Sequence, residues 1–210
     1  LMRLLDCYFA KFIVAEGEEP PSADDVRKME SDVEPLFFFA LVWSVGATTD
    51  HHGRQLFDAW LRAEMTANGA GCRFPTEGGV YDYHFSRHKG RWVRWMDTVE
   101  HTPLNTKLDF SDIVVQTTDS VRNTYLLDLL LRNDKHVLMV GDSGTGKTVN
   151  VGKYLAEAPS VFIPLALIFS AQTSANQVQD TIDSKMSRRK KGVFGPPLGR
   201  RFIIYVDDLN

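Results

Sequence analysis

The sequence predicts an α/β fold for its second half, a parallel sheet with flanking helices, preceded by a mainly helical segment with a β-hairpin. Three observations carry that prediction. A glycine-rich stretch, Gly141–Thr148, stands between an apolar run and a helical pattern; a second apolar run, Phe202–Val206, ends on the carboxylate pair Asp207-Asp208; and strand-like and helix-like stretches alternate between them.

Composition sets the bounds. The chain has 210 residues, 43% of them apolar, enough for a core in one large domain or one and a half smaller ones. A formal charge of −3 and a pI near 6.1 supply no bulk attraction to nucleic acid or to an anionic membrane, and neither is expected as a partner. Cys7 and Cys72 lie far apart and outside any metal-ligand spacing, which predicts reduced structural thiols in an intracellular protein. An opening at Leu1, with no signal peptide, and an end at Asn210 directly after an apolar strand suggest a piece of a longer protein.

Leu1–Ala15 carries apolar residues around most of a helix, and the acidic, Pro-rich EGEEPPSADD after it predicts an exposed loop. Ser22 to Asp25 offers an N-cap for Val26–Val33, and Pro35 introduces a second helix, LFFFALVWSVGA. Its twelve largely apolar residues fall short of the about 20 that cross a bilayer, so it belongs in a core. From Asp50 to Met65, Leu56, Phe57, Trp60 and Leu61 recur at helical spacing, with Arg54, Asp58, Arg62 and Glu64 elsewhere, the pattern of an amphipathic helix.

After the Gly-rich Asn68–Gly79, two short aromatic runs, Val80–Phe85 and Arg91–Met96, are joined by SRHKG and predict a hairpin. His84 and His88, with Cys72, invite a metal reading, yet no fourth ligand is evident and ordinary hairpin positions account for them. Tyr81, Tyr83, Phe85, Trp92 and Trp95 could form a base-stacking platform. Cross-strand packing is the simpler reading, because no Arg/Lys-lined sheet accompanies them.

Thr102–Asp112 is irregular and Ile113–Val115 extended. Thr118 or Asp119 can cap a helix over Ser120–Arg132, whose Val121, Tyr125, Leu126, Leu129 and Leu130 form one apolar stripe. Apolar residues ahead of a phosphate-binding loop often lie beside an adenine. Ile113 and Val114 are the candidates, against plain core packing.

His136–Val140 has the pattern of a buried parallel strand, and the spacing Gly-x-x-x-x-Gly-Lys-Thr runs complete from Gly141 through Asp142, Ser143, Gly144, Thr145, Gly146 and Lys147 to Thr148. A phosphate chain needs backbone N–H groups turned inward, and glycines let the backbone wrap that closely. A helix beginning at about Lys147–Thr148 adds its unpaired N–H groups and its positive dipole end, with Val149 in the same first turn. Lys147 would reach the β- and γ-phosphates of ATP or ADP, and the Thr148 hydroxyl would ligate Mg²⁺. The plain alternative is a Gly-rich turn with no ligand.

The helix should run to about Ala158, followed by a strand over Val161–Phe169 and a polar helix from the Ser170–Ser174 caps to about Ser187. RRKKGVFGPPLGRR then places six basic residues around a Gly-Pro-Pro turn, read as a solvated hairpin rather than a nucleic-acid patch. The strand Phe202–Val206, neighbouring the phosphate-loop strand, would deliver Asp207 to the Mg²⁺ opposite Thr148. Asp208 would be the catalytic base for the attacking water. Many such ATPases carry Glu there. Asp is one methylene shorter, and a displacement of about 1 Å can cost about a hundredfold in rate, which favours binding over fast hydrolysis.

IVVQTTDSVRNTYLLDLLL, VLMVGDSGTGKT, FSAQTSANQVQDTIDSKM, RRKKGVFGPPLGRRF and IIYVDDLN together resemble the third AAA+ module of axonemal dynein heavy chains. PLFFFALVWSVGATTDHHGRQLFDAWLR and GRWVRWMDT resemble the region that family places between its second and third modules. The resemblance implies residues 1–15 as the end of the preceding small helical subdomain, 16–101 as inter-module helices and hairpin, and 102–210 as part of an AAA+ large subdomain. It implies ATP or ADP with Mg²⁺ at a mostly regulatory, slowly hydrolysing site, in a motor that moves toward microtubule minus ends in cilia and flagella. Neighbouring AAA+ modules of the same heavy chain are the implied partners, with intermediate and light chains and microtubules reached through other parts of it. The cytoplasm, cytoskeleton and axoneme are the implied location. A generic AAA+ remodelling or nucleic-acid ATPase is the alternative, with Arg188–Arg201 touching its substrate.

Overall fold

The computed structural model describes residues 1–12, 19–99, 115–170 and 172–207. The chain divides into two compact units, Leu1–His136 and Val137–Asn210.

In the first unit, α1 (Met2–Phe9) tightens into a 3-10 turn over Ala10–Phe12. The two helices expected around Pro35 are one, α2 (Ala23–Ser44), capped by the Ser22 hydroxyl accepting from Asp25 N–H. An internal proline removes a ladder donor and costs about 3 kcal/mol. Pro35 is fully buried together with Leu36 and Phe39, and burial of this face offsets the lost bond. α3 (His51–Ala67) starts where the Asp50 carboxylate accepts from Gly53 N–H at 2.7 Å, and it buries Leu61 and Met65 while Leu56 and Trp60 stay exposed.

The hairpin forms from β1 (Tyr83–Ser86) and β2 (Arg91–Arg94), with Phe85 opposite Trp92. Its strands are shorter than expected, because Val80–Asp82 and Trp95–Thr98 coil into 3-10 turns. The buried Trp95 indole ties those turns together by donating to Tyr81 O at 2.9 Å. The aromatic residues of the hairpin are core: Trp92 stacks on Phe74 at 3.9 Å between centroids, and Trp95 lies 6.3 Å from Phe39.

α4 (Thr118–Arg132) packs Val121, Tyr125, Leu126 and Leu129 against this same core. Its cap is Thr117 rather than Thr118 or Asp119. Thr117 is extended and exchanges hydrogen bonds with Ser120 three residues on, a reciprocal arrangement the other two positions lack. Tyr125 meets α1 through a 3.1 Å hydroxyl contact with Tyr8, and burial raises the pKa of both phenols.

In the second unit, α5 (Lys147–Glu157) leads to β3 (Phe162–Ile168), then α6 (Ala175–Lys185), the antiparallel pair β4 (Ser187–Lys190) and β5 (Val193–Gly195), and finally β6 (Arg201–Asp207). β3 and β6 pair in parallel along their whole lengths, from Phe162 opposite Arg201 to Ile168 opposite Asp207. A parallel pair needs a crossover, which α6 and the β4–β5 hairpin supply. Parallel strands with flanking helices, after a helical unit with a hairpin, make up the expected α/β architecture.

One expectation fails: the phosphate-loop segment is not a strand beside β6. β6 bonds β3 instead, and Val137–Val140 joins no ladder among the described residues, so Leu138 and Val140 are 76% and 85% exposed. A strand needs a neighbour for its N–H and C=O groups, and apolar content alone supplies none. Among the described residues, no helix is long and apolar enough to cross a membrane.

His84 is buried at 9% exposure, stacked 4.9 Å from Trp95 and tilted against Tyr125 at 5.5 Å. Burial lowers its pKa from the ordinary 6.5; a backbone hydrogen bond at Phe85 opposes the shift and the Lys89 charge adds to it. The unfolded chain therefore takes up a proton that the folded chain resists, so stability is level above the unfolded pKa and falls as pH drops through it. The urea midpoint should decline between about pH 7.5 and about 5.5. His84→Phe, which keeps a ring on Trp95, should flatten that decline, and an equal slope in the variant would contradict this account.

Candidate functional site

Gly141–Thr148 forms an open loop feeding α5. Gly144 and Gly146 hold φ of +80° and +78°, the left-handed region that a side chain makes costly. Gly146 is also the N-cap residue of α5, and no side chain caps the helix there. The first-turn N–H groups, Thr148 and Val149 among them, are thus left to an external acceptor. Thr145 braces the loop by donating its hydroxyl to Asp142 O at 2.8 Å.

Lys147 folds back over the loop and donates to Gly141 O and Asp142 O, each at 2.7 Å, which places the ammonium inside the curve of the glycines. Thr148 donates its hydroxyl to Asp207 Oδ1 at 3.3 Å, although the two stand 59 residues apart. The β3–β6 ladder makes that contact: Asp207 occupies the last paired position of β6, and Phe169 N–H donates to Asp207 O at 3.2 Å just beyond. A hydroxyl and a carboxylate side by side at the C-terminal edge of a parallel sheet suit a hard divalent cation, and the uncapped helix start with the adjacent ammonium suits phosphate oxygens.

The structure thus brings together Gly141, Asp142, Ser143, Gly144, Thr145, Gly146, Lys147, Thr148, Val149 and Asp207. Ile113, Val114 and Asp208 lie outside the described residues. Ser174 caps α6 as expected of the Ser170–Ser174 stretch, and Ser170 closes the turn before it by bonding Thr173.

Comparison with known proteins gives two matching family descriptions, a dynein heavy chain AAA lid domain over residues 1–97 and a P-loop containing dynein motor region over residues 102–210. The whole chain is 43% identical to mouse dynein axonemal heavy chain 1, of which it spans 5%. It is 40% identical over 83% of its length to mouse dynein axonemal heavy chain 12, and 32% identical over its whole length to human dynein axonemal heavy chain 3, spanning 6% of each.

Replacing Gly144 or Gly146 by Ala forces an L-residue into the left-handed region at about 1–2 kcal/mol each. Amide exchange at Lys147–Asn150 should quicken in both variants while exchange in α2 is unchanged. Unaltered protection of the α5 start would mean the loop does not need these dihedrals.

Proposed function

The chain belongs to the dynein heavy-chain family, and from that premise we propose that residues 102–210 are part of an ATP-binding AAA+ module, the third of its heavy chain, with 1–15 closing the preceding small helical subdomain and 16–101 joining the two. The observation that carries the reading is the pairing of Thr148 with Asp207 beside Lys147 and an uncapped helix start. In this reading the backbone from Gly141 to Val149 and the Lys147 ammonium hold the phosphates of ATP or ADP. Thr148 and Asp207 hold Mg²⁺, which neutralises phosphate charge when bound.

Lys147 must exchange its two loop carbonyls for phosphate oxygens, so nucleotide binding reorders the loop as well as filling it. Asp208, in the position where the family resemblance puts an activating Glu, is proposed as a weak base. The site then serves as a slow, regulatory grip whose occupancy influences minus-end-directed movement along microtubules in the axoneme. Adjacent modules of the same heavy chain are the proposed neighbours, and intermediate chains, light chains and microtubules are reached elsewhere in it.

Lys147→Ala should abolish binding of a fluorescent ATP analogue while leaving the melting temperature within about 2 °C, since the side chain supports no core contact. In the complete motor the same change should slow motility without abolishing the main ATPase. Nucleotide retained in the variant would sink the phosphate assignment. Asp207→Asn should weaken binding in Mg²⁺ by about tenfold or more and leave binding in EDTA nearly unchanged; equal losses in both would place Asp207 off the cation.

A further inference from the structure

The β4–β5 hairpin has features that nucleotide binding does not use. Residues 185–201 hold seven basic residues and no acidic one, in a chain whose net charge is −3. Lys185, Arg188, Arg189, Lys190, Lys191 and Arg200 are exposed, and none has an ion-pair partner among the described residues. A solvated basic hairpin needs no apolar surface. This one exposes Phe194 at 59%, Val193 at 48% and Leu198 at 91%.

The arrangement is ordered. Arg188 stands opposite Phe194 and Lys190 opposite Val193, with a bulge at Arg189 between them, so a cation neighbours an apolar side chain in both pairs. Arg189 is committed to the frame: its Nε and Nη2 both donate to Pro196 O, at 3.1 and 2.6 Å, and fasten the Gly-Pro-Pro turn to β4. Gly192 and Gly199, each at φ +75°, turn the chain on either side of β5. The frame therefore presents Phe194 and Leu198 at fixed positions among uncompensated cations.

The geometry points to β4–β5 as a docking arm for an acidic protein segment in which carboxylates flank a large apolar side chain. The charge requires an acidic partner. Phe194 is the one aromatic residue in the 185–201 sequence, and the aliphatic Val193 and Leu198 suit an apolar side chain better than the stacked bases of a nucleic acid. Burying exposed Leu and Phe side chains against an apolar partner residue is favourable, which selects such a segment over a merely acidic one.

The test uses the 210-residue chain and fluorescence anisotropy at about 150 mM salt with three probes: a peptide alternating Glu and Leu, an all-Glu peptide of the same length, and a single-stranded oligothymidine. The Glu/Leu peptide should bind about tenfold or more tightly than the other two. The double variant Phe194→Ser, Leu198→Ser should erase that preference with all-Glu binding unchanged. Neutralising Arg188, Lys190 and Lys191 to Gln should weaken both peptides about tenfold or more, with nucleotide binding intact as the check on folding. Equal affinity for the two peptides, tighter binding of oligothymidine, or no binding of the Glu/Leu peptide would each overturn the proposal.

Discussion

The parallel ladder between β3 and β6 is the constraint on which the candidate site depends. Its register sets Asp207 at the last paired position, where the carboxylate meets the Thr148 hydroxyl. Successive side chains on a strand point to opposite faces, so a slip of one residue would carry Asp207 away from Thr148. The register is held by what the strands bury, with Phe162, Leu165 and Leu167 on β3 and Ile203 on β6. Apolar packing here fixes the position of a charge, and the chemistry follows from that position.

The first unit rests on a different constraint, an aromatic core centred on Phe39. Tyr8, Trp43, Trp95 and Tyr125 each place a ring within 6.1–6.4 Å of it, from α1, α2, the turn after the hairpin and α4. Rings this large bury much apolar area each, and the edge-on contacts of Tyr8 and Tyr125 with Phe39 make the packing specific. The same core explains why Pro35 is tolerated inside α2 and why burial against Trp95 lowers the His84 pKa. α4, which the family resemblance groups with residues 102–210, is packed into this core by its apolar stripe. Asn133–Val140 is then the covalent tie between that anchored helix and the phosphate loop.

Much of this was legible beforehand because it is local. The glycine spacing, the helix starting at Lys147, the strand ending on Asp207 and the basic hairpin are all short-range patterns, and each lies where it was expected. Other readings went astray where a neighbour decides. Pro35 looked like a helix start because sequence shows its missing donor and not the core that offsets it. His136–Val140 looked like a strand because its composition is apolar, while pairing is a property of two segments. Thr117 and not Thr118 or Asp119 caps α4, because the reciprocal Ser120 contact is a matter of geometry rather than residue type.

By itself, then, the sequence determined the glycine-rich loop, the helix that starts after it and the carboxylate that ends the last strand, and its resemblance to a known family runs through nearly the whole chain. The loop, the helix start and the strand end follow from patterns within a few residues, where backbone geometry leaves little choice. Only the tertiary structure decided that Thr148 and Asp207 meet, that α4 belongs with the aromatic core, that Lys147 lies against the loop carbonyls, and that Phe194 and Leu198 stand exposed among the cations. Each of these joins residues through packing or strand pairing, and the energy of such contacts depends on what lies across the gap rather than on what comes next in the chain.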